Sequence, residues 1–281
     1  MLPFKLPLGE LVEAAVEWSL DRFYTTFRAI SDGLYAGVEA LQNILLGAPP
    51  WLLIVVLAGL ARLAAGWGVA AFVAVGLLII DGIGLWQPTW ETFSLVVAAE
   101  LLVLVIGLPL GIWASRNDWV DRLLRPVLDF MQTMPSFVYL IPAVMLFGLG
   151  TVPGVLATVV FALPPLVRLT NLGIRQVPID LVEAGEAFGS SPLQMLAKVQ
   201  LPVALPTIMA GVNQSIMLAL SMVVIAAMIG AGGLGAEVLR GIQRLQIGTG
   251  FEAGLAVVLL AMTLDRLTQS VGKSRRTTEG G

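Results

Sequence analysis

The 281-residue chain has no cysteine and no histidine. Disulfides, thiol redox chemistry, Cys/His zinc sites, histidine general-base catalysis and Ser-His-Asp triads are therefore closed to it. Charge is almost as scarce, with 12% Asp, Glu, Lys and Arg against roughly 25% in a soluble domain. The net charge of −3 leaves no basic field for nucleic acid. In place of polar residues the chain carries 57% apolar ones and has a mean hydropathy of +0.90. A water-soluble enzyme is excluded; the composition is that of an all-α, polytopic membrane protein. Thirty glycines and sixteen prolines would spell disorder in a polar chain, but among so much Leu, Val, Ile and Ala they act as helix-packing and helix-kinking residues.

Apolar stretches at 51–65, 67–85, 93–114, 127–149, 152–172, 206–230 and 251–268 approach the ~20 residues that cross a hydrocarbon core. They predict about seven transmembrane helices. Only Arg62 and Gly66-Trp67-Gly68 divide the stretch from Trp51 to Trp86, so six stays open. Laid on alternate sides of these spans, the sixteen Lys and Arg residues split eleven to five. Arg62, the arginines of 116–125, Arg168, Arg175, Lys198 and the cluster from Arg266 to Arg276 share one side. Lys5, Arg22, Arg28, Arg240 and Arg244 share the other. The positive-inside rule then puts the C-terminus in the cytoplasm and, with seven spans, the N-terminus outside.

The first fifty residues lack the basic start and apolar run of a secretory signal. Glu10, Glu13, Glu17 and Asp21 fall on one helical face, with Val12, Val16, Phe23, Phe27, Ile30 and Leu34 opposite. This predicts an amphipathic helix lying along the membrane or packed on the bundle, a scaffold without chemistry.

The stretch 173–205 is too well specified for an idle loop. Asp180 with Glu183 forms one capping-box pattern, and Ser191-Pro192 with Gln194 forms a second. Gly189 stands where a helix needs a left-handed residue to stop, and Leu201-Pro202 is expected to end the second helix. Leu181, Ala184, Gly185 and Phe188 make an apolar stripe on the cytoplasmic side. It either folds back on the bundle or docks into a partner.

Glu183-Ala184-Gly185, Gly189 and Val199-x-Leu201-Pro202 resemble the EAA signature of ATP-binding-cassette (ABC) importer permeases, E-A-A-x3-G-x9-I-x-L-P, with Gly185 in place of Ala and Val199 in place of Ile. The runs 206–214, 218–224 and Gly232-Gly233-Leu234-Gly235, together with Thr133–Tyr139 and Leu264–Gln269, are similar to the glycine betaine/proline (quaternary amine) branch of that family. The resemblance covers residues from about 90 to 270. It implies a type I ABC importer permease fold, with an N-terminal scaffold segment 1–50, scaffold transmembrane helices 51–88, a core permease domain 89–270 carrying the coupling loop 173–205, and a cytoplasmic tail 271–281.

The resemblance also implies a function and partners. Two permease subunits form a homodimer in the cytoplasmic (inner) membrane of a prokaryote. Two cytoplasmic ABC ATPase subunits bind ATP and Mg, and an external or periplasmic binding protein delivers the solute. This chain is then a non-catalytic transport subunit without cofactor or metal, surrounded by lipid. Its own Gly272-Lys273-Ser274 fails the P-loop pattern, which needs Gly where Leu267 stands. Glycine betaine, choline or a related osmoprotective solute is the implied cargo. Another small amino-acid-like solute is the alternative, and an ion-coupled secondary transporter is the rival from a different class.

By the same resemblance, Glu183, Ala184, Gly185, Phe188, Gly189, Leu201 and Pro202 couple the chain to the ATPase. Ser215, Met217, Ser221 and Met222 are pathway-lining candidates, or else ordinary helix contacts. Gly232, Gly233, Gly235, Arg240 and Arg244 belong to an outer gate or to the docking surface for the binding protein, the arginines being otherwise solvated helix charges. The Gly-rich run reads as too flexible to cradle a phosphate. Glu100, an acid inside the third span, must face protein or water; a structural hydrogen bond at the subunit or scaffold interface and a proton relay are its two readings.

Overall fold

The computed structural model describes residues 7–273, and every regular element among them is helical. Residues 1–6 and 274–281, which include Lys5, Arg275, Arg276 and most of the expected tail, lie outside the described residues. In order the helices are α1 (Leu8–Gly47), α2 (Pro50–Ala65), α3 (Trp67–Gly82), α4 (Trp86–Arg116), α5 (Asp118–Thr133), α6 (Leu140–Phe147), α7 (Thr151–Arg175), α8 (Ile179–Ala187), α9 (Pro192–Met195), α10 (Leu201–Ala227), α11 (Gly233–Gln243) and α12 (Ile247–Lys273). A 3-10 turn at Ser136–Tyr139 leads into α6, and a π turn at Leu196–Gln200 joins α9 to α10.

The centre of the bundle is α7, packed along α4 on one side and α10 on the other. Glycines set these crossings, as expected where small residues let helix backbones approach in a bilayer. Gly107 and Gly111 of α4 meet Leu166 and Thr170 of α7, and Gly211 of α10 meets the Leu166 backbone. A Cβ added at Gly111 would lie 2.5 Å from Thr170 Cβ. Val155, Ala162, Leu166 and Val167 of α7 are fully or almost fully enclosed. Pro109, Pro164, Pro165 and Pro206 sit inside continuous helices, tolerated because neighbouring helices cover the freed carbonyls.

Four helical runs are long and apolar enough to cross a membrane: Trp86–Arg116, Thr151–Arg175, Pro192–Ala227 and Ile247–Gln269. The count rises to six if each of two sharply bent pairs is a single span, and the expected seventh, 67–85, is the 16-residue α3. The expected span 127–149 is instead broken. The chain turns by 105° between α5 and the Ser136–Phe147 segment, because Pro135 cannot continue a helix and holds Met134 extended. Asn117 caps α5, its side chain accepting from the Trp119 and Val120 N–H groups. The expected N-terminal helix forms as the 40-residue α1, Leu8–Gly47, with non-helical angles at Phe23 and a 104° bend into α2. Val38 is the one buried residue among its described side chains; Val12 and Phe23 stay open to the surroundings, and Phe27 meets Phe147 edge to face at 5.4 Å.

Candidate functional site: coupling loop, passage face and outer turn

The loop that carries the Glu183 motif stands clear of the bundle. No residue of α8 is buried, and Phe188 is 92% and Leu181 43% exposed. The apolar stripe therefore does not fold back on its own transmembrane helices. A Schellman turn stops the helix, with the Gly189 N–H donating to the Glu186 carbonyl at 2.8 Å and Ser190 N–H to the Gly185 carbonyl at 3.0 Å. Gly189 has φ +75°, the left-handed value that a side chain resists. Gly185 leaves the stripe and faces α9, where an added Cβ would meet Met195 Cε at 2.5 Å. The second capping box forms as the sequence predicts: Gln194 N–H donates to Ser191 Oγ, and Ser191 N–H donates to Gln194 Oε1.

Two local expectations fail. The Asp180–Glu183 box does not form: α8 starts one residue after Pro178, with no side-chain cap. Pro at that position already fixes the extended entry that an N-cap residue would supply, and Glu183 and Ala184 remain exposed without a capping role. Nor do Leu201 and Pro202 end the second helix. The π turn just before them widens the ladder, so the missing Pro202 N–H falls in the first turn of α10 and the helix runs on.

One hydrogen bond fastens this loop to the bundle, beside a charged cluster that ties α4, α5 and α7 together. Arg116 at the end of α4 donates to the Pro192 carbonyl at 2.7 Å. Arg175 donates to the Ala114 carbonyl at 2.7 Å, to Asn171 at 2.8 Å and pairs with Asp118 at 2.7 Å. Asn171 donates to Asp121, which also pairs with Arg125 at 2.6 Å. Asp121, Arg125, Asn171 and Arg175 border a cavity of about 350 Å³ between the ends of α4, α5 and α7. The sequence offered only their positive charge as a signal.

On α10 one stripe is open along most of the helix: Val203, Pro206, Ala210, Gln214, Met217 and Ser221. Met217 and Ser221 thus lie on an uncovered face, while Ser215 and Met222 do not, each having no exposed surface. Ser215 turns inward to Glu100, with Ser215 Oγ 2.6 Å from Glu100 Oε1. Glu100 is itself 8% exposed, and the contact is a structural hydrogen bond inside the core between α4 and α10, not at a subunit or scaffold interface as expected. Proton relays use several intramembrane ionisable groups in sequence, and no described ion pair reaches this one.

The Gly-rich run at the far end is held tightly rather than flexible. Gly232 (φ +78°) and Gly233 (φ +68°) turn the chain into α11. The N-cap Gly232 has no side chain to satisfy the first N–H groups, so α4 supplies the acceptors: Gly233 N–H donates to Glu91 Oε2 at 3.0 Å and Leu234 N–H to Thr92 Oγ1 at 2.8 Å. Gln87 donates to the other Glu91 oxygen. Gly235 lies against α10, where a Cβ would stand 2.2 Å from the Val223 carbonyl oxygen. Arg240 pairs with Glu237 at 2.6 Å, and Arg244 closes α11 exposed. Among the described residues no group of His, Cys, Asp and Glu is placed to hold a metal.

An exposed short helix on a polytopic bundle, with a pinned turn at the opposite end of α10, is the arrangement expected of the membrane-embedded subunit of an ABC importer. The comparisons with known proteins agree. The chain belongs to the family described as "Binding-protein-dependent transport system inner membrane component", whose pattern matches residues 104–277. It is 50% identical over 267 residues to the glycine betaine transport system permease protein OpuAB of Bacillus subtilis, covering 95% of each chain. It is 51% identical over 271 residues to the glycine betaine/proline betaine transport system permease protein ProW of Escherichia coli, covering 96% of this chain and 77% of that one. Among solved structures it resembles an inward-facing MetNI methionine ABC transporter chain, with TM-score 0.57, 25% identity and coverage of 69% of this chain and 94% of the other.

Proposed function

We propose that this chain forms one half of the passage through which an ATP-driven importer takes up glycine betaine, choline or a related compatible solute. The observation that carries the reading is α8, a short helix locked at its end by a Schellman turn yet burying none of its own residues. Phe188, 92% exposed, gains about 1.5–3 kcal/mol on full burial and the half-exposed Leu181 less, which an ATPase groove seated over them supplies. Glu183, Ala184, Gly189, Leu201 and Pro202 shape and carry that contact, the last two by launching α10 directly from the loop. ATP and Mg bind on the two ATPase partners, and this subunit needs no cofactor or catalytic group.

The relatives' names support the solute class. Betaines carry a quaternary ammonium and a carboxylate with little net charge, so the passage needs no deep electrostatic well. The open α10 stripe suits it: Gln214, Met217 and Ser221 are uncharged, and a second copy of the chain facing the same stripe completes a homodimer around the passage. The Lys/Arg-rich end, with α8, faces the cytoplasm. The outer turn with Gly232, Gly233 and Gly235 meets the binding protein, with Arg244 exposed for pairing and Arg240 shared with Glu237.

The test is reconstitution of the permease with its ATPase and binding protein in liposomes. Uptake of labelled glycine betaine should require ATP on the ATPase side and the loaded binding protein on the other, and Phe188→Asp should abolish it with the permease still inserted. Uptake that persists without the ATPase, driven by an ion gradient, would refute the proposal.

A further inference from the structure

We propose that a groove between the α2–α3 turn and α12 is a binding site for one anionic phospholipid of the Lys/Arg-rich leaflet, its phosphate on Arg266 and its acyl chain along Phe72. The groove holds about 370 Å³ and is lined by Ala65, Gly68, Val69, Phe72, Met262 and Arg266. It is apolar along its walls and cationic at one end. Arg266 is exposed, and no described carboxylate pairs with it. Its neighbour Asp265 is already engaged, accepting from Asn213 at 2.7 Å and from Gln269 at 2.8 Å. The guanidinium is therefore an open two-pronged donor, the geometry that recognises phosphate oxygens.

Depth in the bilayer favours a lipid as occupant. The 16 residues of α3 span about 24 Å, and the helix from Ile247 to Arg266 spans about 28 Å; both are close to the hydrocarbon thickness of about 30 Å. Arg266 and the turn at Gly66 thus reach the same interface, with the groove walls just inside it. Trp67 stands there 71% exposed, with the Arg62 guanidinium 3.9 Å from its ring centre, as aromatic and basic anchors do at a membrane surface. Both arginines sit on the side richer in positive charge, where basic pockets between transmembrane helices take anionic headgroups. Gly66, at φ +87°, separates α2 from α3 next to the groove, and a Cβ at Gly68 would touch nothing within 4 Å.

The experiment uses the full-length permease in nanodiscs of equal phosphatidylglycerol and phosphatidylcholine, followed by native mass spectrometry of the lipid retained per chain. Wild type should retain phosphatidylglycerol in preference to phosphatidylcholine. Arg266→Gln should lower that preference roughly fivefold, and Arg266→Lys should keep most of it. Gly68→Phe, which fills the groove and leaves the charge, should remove the bound lipid whatever its headgroup. Retained lipid that mirrors the disc composition, a preference unchanged in Arg266→Gln or Gly68→Phe, or displacement of the lipid by inorganic phosphate alone would overturn the assignment. Monodisperse elution of each variant separates these results from misfolding, and if Arg266→Gln does not fold the Gly68→Phe and Arg266→Lys pair decides.

Discussion

Gly235→Ala tests whether the outer turn is held by backbone contact or merely by chain connectivity. The added Cβ would stand 2.2 Å from the Val223 carbonyl oxygen, 2.7 Å from its carbonyl carbon and 2.9 Å from its Cγ1. Two of those atoms are main chain of α10 and cannot rotate away. Restoring an ordinary contact of 3.4 Å needs α11 to lift by about 1 Å, a shift that also stretches the Gly233–Glu91 and Leu234–Thr92 hydrogen bonds. Overpacking costs about 1–3 kcal/mol, and one weakened hydrogen bond about 0.5–1.5 kcal/mol more. A loss of about 2–4 kcal/mol lowers the melting temperature by roughly 5–15 °C. The control is Gly254→Ala in α12, where nothing lies within 4 Å and helix propensity favours Ala by up to about 1 kcal/mol. Thermal denaturation of both variants in detergent, with uptake measured in parallel, decides. If Gly235→Ala melts with wild type, the pinned turn is not a structural restraint and the reasoning fails.

Cysteine scanning is clean in a chain that has none. Met217→Cys and Ser221→Cys should react with a water-soluble thiol reagent in the monomeric permease, while Ser215→Cys and Met222→Cys should stay unlabelled; reversed labelling would put the open face elsewhere. A double-mutant cycle of Ser215→Ala and Glu100→Gln, read by denaturation, should give a coupling of about 0.6–1.7 kcal/mol, and additive effects would show that the pair does not interact. Gly189→Asp places a side chain at φ +75° for about 1–2 kcal/mol. It should leave the permease in the membrane but weaken copurification of the ATPase, and normal copurification with normal uptake would count against the coupling loop.

Long apolar runs made α4, α7, α10 and α12 legible in the sequence, because a span needs only length and hydropathy to announce itself. Local chemistry was legible too. Ser191 and Gln194 cap each other as their spacing requires, and Gly189 takes the left-handed conformation of a helix stop. The Asp180–Glu183 spacing carried the same signal, but the preceding Pro178 sets the helix start instead. What stayed hidden depends on distant parts of the chain. Ser215 and Met217 are two residues apart in similar company, and only the position of Glu100 on another helix decides that one turns inward. The acceptors for Gly233 and Leu234 lie 142 residues earlier, beyond any local pattern. The break at Pro135 is flanked by the polar Gln132, Thr133 and Ser136, a local signal outweighed by the apolar run from Phe137 to Leu149 beyond it.

From Pro192 to Ala227 the chain is a single helical run of 36 residues, about 54 Å long, interrupted only by the π turn. One end is the capped foot of the loop where Arg116 holds the Pro192 carbonyl. The other is tied down where the Gly150 N–H donates to the Ile229 carbonyl at 2.9 Å. Such a rod behaves as a lever: a push on its foot reaches the opposite side of the membrane without crossing any interface between helices. The π turn and Pro206 are the two places where the shaft's hydrogen-bond ladder is altered, so they, rather than the regular stretch beyond them, limit how stiffly such a push would be passed on.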